Sequence, residues 1–582
     1  MCLITLLCLT APSASAALPP GYLDEPALNR AIDDLDRLPH VTVTTLARSH
    51  AGSPIRLITI TADDQPASRP PRPAILILGS VHAPQLIASE VTLRLARRLA
   101  ADDDTARDLR SRFTFHLLPR PSPDATAAAF APPLTSRTVN TVPIDDDNDG
   151  RIDEDGPDDL NADGLITMMR IARPTGSMIP HPADPRVMIE ADPARGEAGQ
   201  FDLLTEGLDN DRDGKFNEDP TGGVDLNRNF PFDHPTHAPS AGPFPLSEPE
   251  SLALAQWMLD HPHIALVLTY DTQDNLLHDW PAAPSDEQGP VKTRLLREDL
   301  RTLADIAKTY RKTTRLSDAP PAPIIGGSVA RWAYFHFGRW SLVTRPWWPP
   351  KIDEKPTDKP QDKPEDQAED KTSKPKPETE TPDKTDKPDK PDKPDKPDKP
   401  DDRASILRRD LAWLDAQQID AFVPWTRINH PDFPGRVVEV GGLRPHVLLN
   451  PPADQIDAIA DRQWEFVREL ADHQPRVVIE ELRVEPMAQG VHRVTVVVAN
   501  RGKGPTMAKM GDVNGVPIGL HVVLTLPEGA SLLTGHVRTA LDPLGPQETV
   551  EKSWLVRKAA PLIKVTVESP TTGSVSKEEV AP

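Results

Sequence analysis

Cysteine is almost absent from this chain: its 582 residues contain two, Cys2 and Cys8, both in the opening run MCLITLLCLTAPSASA. That run is apolar and ends in small residues, with Ala14-Ser15-Ala16 as a cleavage site. Residues 1–16 are therefore expected to be a signal peptide, even without a basic leading segment. The rest of the chain has no thiol, which excludes a disulfide scaffold and a cysteine nucleophile. A protein exported to the periplasm, the cell envelope or the medium must then rely on a large core and bound ions. Positive charge is also in deficit. With 66 Lys+Arg against 88 Asp+Glu and a formal net charge of -22, the chain lacks the basic face that nonspecific nucleic-acid binding needs. No later apolar run is long enough to span a membrane. A phosphate loop is missing too, since GGSVAR has neither its lysine nor its spacing.

A chain of this length needs more than one folding unit. Residues 17–350 alternate strand and helix patterns. Residues 42–48 and 55–60 read as edge strands, Ala74 to Leu78 as a buried strand stopped by Gly79, and 87–100 as an amphipathic helix. A helix through Leu254 to Asp260 precedes IALVLTY at 264–270, a second buried strand. This alternation predicts an α/β fold with a central mixed sheet and helices on both faces, whose sites lie at strand C-termini. Residues 351–403 are Lys/Asp/Pro/Glu repeats, expected to be a disordered insertion. Residues 404–473 return to strand and helix patterns and are expected to close the α/β domain. Residues 474–582 change to period two, in RVVIEELRVEP, HRVTVVVANRG, GLHVVLTLPEG and LIKVTVESP, which predicts a β-sandwich with a frayed tail.

The clearest local chemistry is a repeated acidic loop. DDDNDGRIDED supplies Asp145, Asp147 and Asp149 before Gly150, with Asp153 beyond it. DLNADGLIT supplies Asp159, Asn161 and Asp163, and DNDRDGKFNED supplies Asp209, Asp211 and Asp213. Alternate oxygens followed by a glycine turn can wrap a hard cation. None has glutamate at the twelfth position, so none is a complete EF-hand. The expected cofactor is structural calcium, which would neutralise carboxylates that otherwise repel one another. The competing reading is a solvated acidic surface.

Four further segments belong together. ILILGSVHAPQLIASE carries His82 and, three residues on, Gln85; GGVDLNRNFPF carries Asn227-Arg228; YDTQDN opens with Asp271 after one residue; SLVTRPWW carries Arg345. Over residues 20–350 and 404–473 the chain resembles the zinc carboxypeptidase family (peptidase family M14), in an exported bacterial branch that carries acidic DxDxDG loops. The resemblance implies a mixed sheet with helices on both faces. It also implies a relationship to enzymes that remove C-terminal residues with one zinc held by His-x-x-Glu and a later His. On that alignment His82 matches the first ligand, Gln85 replaces the glutamate ligand and Asp271 replaces the second histidine. Asn227 and Arg228 match the pair that holds the substrate's terminal carboxylate, and Arg137 matches the arginine of the oxyanion. Tyr334 in GGSVARWAYFHFG matches the substrate-capping tyrosine or else belongs to an aromatic cluster beside the sheet. Arg345 occupies the place of the general-base glutamate.

These departures disfavour zinc hydrolysis. Catalytic zinc needs three strong ligands and an open position for water, whereas an amide oxygen such as Gln85 supplies neither charge nor strong donation. Arg345 removes the acceptor for the water proton and adds a cation beside the metal position. An Arg345–Asp271 ion pair filling the old metal cavity is the expected arrangement. Glu90 and Glu439 are the remaining carboxylates that could substitute, while His116 and His336 read as structural. Three functions stay open: a noncatalytic protein that binds peptide C-termini or a protein partner, a metallocarboxypeptidase or amidase with rearranged ligands, and a calcium-stabilised scaffold.

Overall fold

The computed structural model describes residues 21–63, 70–146, 148–281, 292–351, 400–526, 528–557 and 562–580. The expected signal peptide, Asp147 and residues 352–399 of the repeat tract lie outside the described residues.

Six strands form the central sheet: β1 (Val41–Arg48), β2 (Pro54–Ile60), β3 (Ala74–Leu78), β4 (Thr114–Leu118), β5 (Ile264–Tyr270) and β6 (Trp340–Thr344). Their spatial order is β1-β2-β4-β3-β5-β6. β1, β2 and β4 pair antiparallel, while β4, β3, β5 and β6 pair parallel, so the sheet is mixed. The four parallel strands are buried along their whole length, as strands covered on both faces must be. This is why AILIL and IALVLTY are unbroken apolar runs. The sequence reading placed residues 55–60 at an edge, but β2 is interior, bonded to β1 on one side and β4 on the other. Its half-exposed positions imitate an edge pattern.

Helices α1 (Glu25–Asp36), α2 (Leu86–Leu99), α3 (Pro249–Asp260), α4 (Arg297–Thr314), α5 (Val329–Phe335) and α6 (Ile456–His473) accompany this sheet. The last follows the repeat tract in sequence, yet it packs against α2 and α4. Gln463 on α6 accepts a hydrogen bond from the Tyr270 hydroxyl at 3.0 Å and donates to that of Tyr310 at 3.2 Å. A second six-stranded sheet joins Phe422–Ile428 and Val438–Leu443 to four strands between Met168 and Thr205, so segments on either side of the tract share one ladder. Residues 477–580 form two four-stranded antiparallel sheets around a separate core that includes Val494, Val496, Trp554 and Val565. Asp299 on α4 ties this sandwich to the α/β unit, accepting hydrogen bonds from the backbone N–H groups of Lys509 and Met510 at 2.8 and 3.3 Å. Among the described residues, no helix is long and apolar enough to cross a membrane.

His116 on β4 is buried, as its structural reading required, but it is not alone. Its ring lies 4.8 Å from Trp257 and 5.6 Å from His263, with His261 also adjacent. Burial, and then repulsion from His261, lowers the pKa of His263 to about 4 from 6.5, and His116 is lowered for the same reasons. The unfolded chain protonates His263 near pH 6.5, whereas the folded chain resists until about pH 4. The stability that its neutral burial contributes is therefore fully present above pH 6.5 and is progressively lost as pH falls between those values. At the lower end the loss for His263 amounts to roughly 3 kcal/mol. Chemical denaturation of the His263→Gln variant should show a shallower fall in stability between pH 6.5 and 4 than the parent. Superimposable pH profiles would sink this assignment.

Candidate functional site

The loop after β3 is built on Ser80, whose φ of 36° turns the chain sharply. Its hydroxyl donates to the carbonyl of Gln85 at 2.8 Å and accepts from the Ser89 amide at 2.9 Å, locking the loop onto α2. Gly79 is required by close approach, because a Cβ there would lie 2.6 Å from the Thr92 hydroxyl and 2.7 Å from the Pro119 carbonyl. Asn450, contributed from beyond the repeat tract, accepts from the Ile87 amide and donates to the Pro84 carbonyl, both at 2.9 Å. His82 is the partly exposed member of this loop, and Gln85 is fully buried with neither amide atom hydrogen-bonded. Desolvation lowers the pKa of His82, opposed by Asp271 and reinforced by Arg345.

Asp271 follows β5 directly and is buried, its amide continuing the ladder to the Thr344 carbonyl at 3.0 Å. Its Oδ2 accepts from Asn227 Nδ2 at 2.7 Å and Gln273 Nε2 at 2.8 Å, and its Oδ1 accepts from the Thr272 amide at 2.6 Å. Arg345 lies near enough for Asp271 to favour its charge, but the expected ion pair is replaced by carbonyl contacts. Its Nε donates to Thr272 at 3.0 Å and an Nη to Pro321 at 3.2 Å. The reason is local: the Asp271 oxygens are already taken by neighbours that need no long side chain to be ordered.

Asn227 and Arg228 sit in the single turn Leu226–Arg228, capped by Asp225, which accepts from the Asn227 amide at 2.8 Å. Asn227 is buried and bridges elements, donating to Asp271 and accepting from the Val329 amide at 3.3 Å. Arg228 is half-buried and donates to the Pro239 carbonyl at 3.0 Å. Gly327, at φ 75°, lets the next segment pass here, since a Cβ would fall 2.1 Å from the Arg228 carbonyl. Burial, aided by the nearby Asp271, pushes the Asp225 carboxyl up to about 7.

The other expected site residues are dispersed. Arg137 is half-buried and donates to the Val139 carbonyl at 3.2 Å. Tyr334 is buried in α5, donates to Asp299 at 2.7 Å and accepts from the Leu296 amide at 3.1 Å. Those contacts, with the edge-on Phe335 ring at 4.9 Å, correspond to the aromatic-cluster reading. Glu90 is a buried residue of α2, held by the Leu23 amide and Arg94, and Glu439 pairs with Arg170 at 2.8 Å in the second sheet. Neither is brought to His82 as a substitute. His336 is exposed against the edge of Phe232. The sequence reading missed His446, which is buried and close enough to His82 to lower its own pKa, mainly through burial, to about 4. No spacing in GLRPHVLLN pointed to it.

The acidic loops share one backbone conformation. Positive φ recurs at Asn148, Ala162 and Arg212, and again at Gly150, Gly164 and Gly214. Asp145, Asp159 and Asp209 each accept from the amide of the glycine in the same loop, at 3.0, 2.7 and 3.1 Å. The first and third loops then clasp each other. Asp219 accepts from the amides of Asp146 and Asp153, while Asp155 accepts from those of Asn210 and Asn217. Carboxylates able to hold one ion converge in Asp149, Glu154 and Asp211, in Asp155, Asp211 and Glu218, and in Asp209, Asp211 and Asp213. Among the described residues, Asp145, Asp153, Asp159 and Asp163 join no such group, and Asn161 donates from its Nδ2 to Asp163 at 3.1 Å. Glu154, Asp155, Glu218 and Asp219 were missed, although the repeated endings RIDED and KFNED carried the signal. Burial, with neighbouring carboxylates, pushes Glu154 and Glu218 up to about 7.

Residues 28–140 and 200–345 match the family model Zinc carboxypeptidase, and residues 476–580 match a Domain of unknown function (DUF8731). No curated protein sequence matches the chain. Among solved structures, thrombin activatable fibrinolysis inhibitor aligns at 15% identity and TM-score 0.33, over 56% of this chain and 66% of that one. A metallo-carboxypeptidase from Burkholderia cenocepacia aligns at 15% identity and TM-score 0.31, over 55% and 59%. Carboxypeptidase A from Helicoverpa armigera aligns at 16% identity and TM-score 0.33, over 55% and 62%. This chain thus spans less than two thirds of the length of each of these three.

Removing the Asp271 carboxylate strands buried donors on Asn227 and Gln273. Asp271→Ala should destabilise the α/β unit by about 2–4 kcal/mol in urea titrations, with or without metal. A loss under about 0.5 kcal/mol would show that those amides find other partners.

Proposed function

The α/β unit of this chain belongs to the zinc carboxypeptidase family, and from that premise we propose an exported, noncatalytic member that binds the C-terminal end of a peptide or protein. The observation that carries this reading is the engagement of Asp271 by Asn227, Gln273 and Thr272. Those three bonds draw on most of the carboxylate's roughly four lone-pair sites, which leaves Asp271 a weak candidate for a strong zinc ligand. Gln85 contributes a neutral amide, and the Arg345 guanidinium bears on His82 from the same side of the charge balance as a metal would. The donor set therefore does not suit a catalytic zinc, and no hydrolytic step is assigned to it.

Arg228 is the group left to recognise a carboxylate. It keeps partial exposure, its guanidinium is engaged on one nitrogen, and its turn is braced by Asp225 and Gly327. A planar guanidinium offers paired donors to a terminal carboxylate. The clasped acidic loops serve as calcium sites that hold residues 145–219 in shape, since convergent oxygens and little positive charge suit a hard cation. A second reading, a hydrolase with rearranged ligands, draws on His446 as another imidazole beside His82.

Fluorescence anisotropy on the calcium-loaded full chain tests these readings. A peptide with a free C-terminus should bind more tightly than its amidated form, and Arg228→Ala should weaken the former at least tenfold, or about 1.4 kcal/mol. Equal binding of both peptides would overturn carboxylate recognition. Zinc-dependent turnover abolished by His82→Ala would establish the hydrolase instead. Chelating calcium should expose the 145–219 region to limited proteolysis. An unchanged digestion pattern would argue against structural calcium.

A further inference from the structure

His50, Glu248 and Glu250 converge where the turn between β1 and β2 meets the start of α3, outside both the His82 loop and the acidic loops. One ligand atom from each lies within 4.8 Å of the others. Glu248 stands at the N-terminal boundary of α3, yet its side chain makes no cap to the helix. Its Oε2 instead accepts from Asn140 Nδ2 at 2.7 Å and contacts His50 Nε2 at 2.9 Å, and its Oε1 accepts from Ser247 at 2.7 Å. Two residues on, Glu250 is only 3% exposed, and neither of its carboxylate oxygens has a hydrogen-bond partner outside its own residue, whose amide is the one donor facing it.

That arrangement is costly as it stands. A buried carboxylate met only by its own amide forfeits its hydration and regains little of it. A third buried acid, Asp124, lies close by, its oxygens held by Ser49, the Ala51 amide and Thr141. Burial first, then Asp124 and Glu248, push the Glu250 carboxyl up to about 7. The helix N-terminus favours acids here by about 1 kcal/mol or less, too little to offset so poorly partnered a carboxylate. A divalent cation would satisfy the free oxygens and the excess charge together.

We propose that His50, Glu248 and Glu250 form a divalent-cation site for a first-row transition ion such as zinc, stapling the β1–β2 turn to α3. The donor chemistry sets the class of ion. Calcium and magnesium select oxygen, whereas one imidazole with two carboxylates suits zinc and its neighbours. Tetrahedral zinc at its usual bond lengths holds donors about 3.3 Å apart, so the ion would open the 2.9 Å His50–Glu248 contact slightly and draw the Glu250 oxygen in. His50, with 31% of its side chain exposed, lies on the route by which the ion and a water ligand enter. Asn140 and Ser247 then orient Glu248 from behind, as outer partners do at metal sites.

The test is zinc titration of the full chain by calorimetry at saturating calcium, with cobalt absorption spectra as a second readout. One zinc per chain is expected, weakened at least tenfold by His50→Ala and by Glu250→Gln, and unaffected by His82→Ala. Zinc should also raise the melting temperature of the parent and leave that of His50→Ala unchanged. His50 is exposed at the rim, so its alanine variant folds even if Glu250→Gln does not. Absence of binding, binding indifferent to His50→Ala, or binding lost in His82→Ala would each overturn the proposal. None of these outcomes bears on peptide recognition at Arg228, which is read separately.

Discussion

A carboxylate removed from water must be met by donors from the protein, and the polar contacts at the ends of β5 and β6 are arranged around how Asp271 meets that demand. Its position at the end of β5 is set by the parallel ladder, where β6 continues alongside it through Thr344. The donors come from the 226–228 turn and from the segment that follows the strand itself. Asn227 then passes the constraint on to Val329 at the start of α5, and Asp225 feels Asp271 as a repulsive neighbour. Position, turn and helix are thus coupled through one side chain. A histidine in its place could accept or donate at two ring nitrogens but could not gather three donors, so the residue type at this position sets the surrounding polar contacts as a group.

The acidic loops solve the opposite problem, too many carboxylates rather than one. Each loop first spends its leading aspartate on its own glycine amide, which sets the turn. The first and third loops go further and exchange their last aspartates, so each loop's backbone is held by the other's acid. What remains is a set of oxygens, most of them on partly exposed residues, of which Asp149 and Asp213 face Arg151 and Lys215, and a bound cation is the general means by which such like charges are balanced. The chain as a whole carries a formal net charge of -22, so these loops add to an existing excess of carboxylates.

Much of this was legible in the sequence where the physics is local. The buried parallel strands announced themselves as unbroken apolar runs, and the change to period two marked the sandwich. The loop repeats were visible through spacing, because glycine with positive φ can be read from composition alone. Interior β2 has an edge-like pattern because buried and half-buried positions mix along it, although it has a neighbour on each side. Tyr334 could be read two ways from WAYFHFG. Its Asp299 partner, 35 residues away, ties it to the sandwich by a contact with no local trace.

By itself, the sequence determined the class of fold, the scarcity of strong zinc ligands, and the turn chemistry of the acidic loops. These depend on residue type and on spacings within about a dozen positions. Only the tertiary structure decided which groups meet: Asn227 with Asp271, Asn450 and His446 with the His82 loop, one acidic loop with another, and His50 with Glu248 and Glu250. Such pairings join residues tens to hundreds of positions apart. They follow from the order of strands in the sheet and from where the helices pack, and neither is written in the periodicity of any one segment.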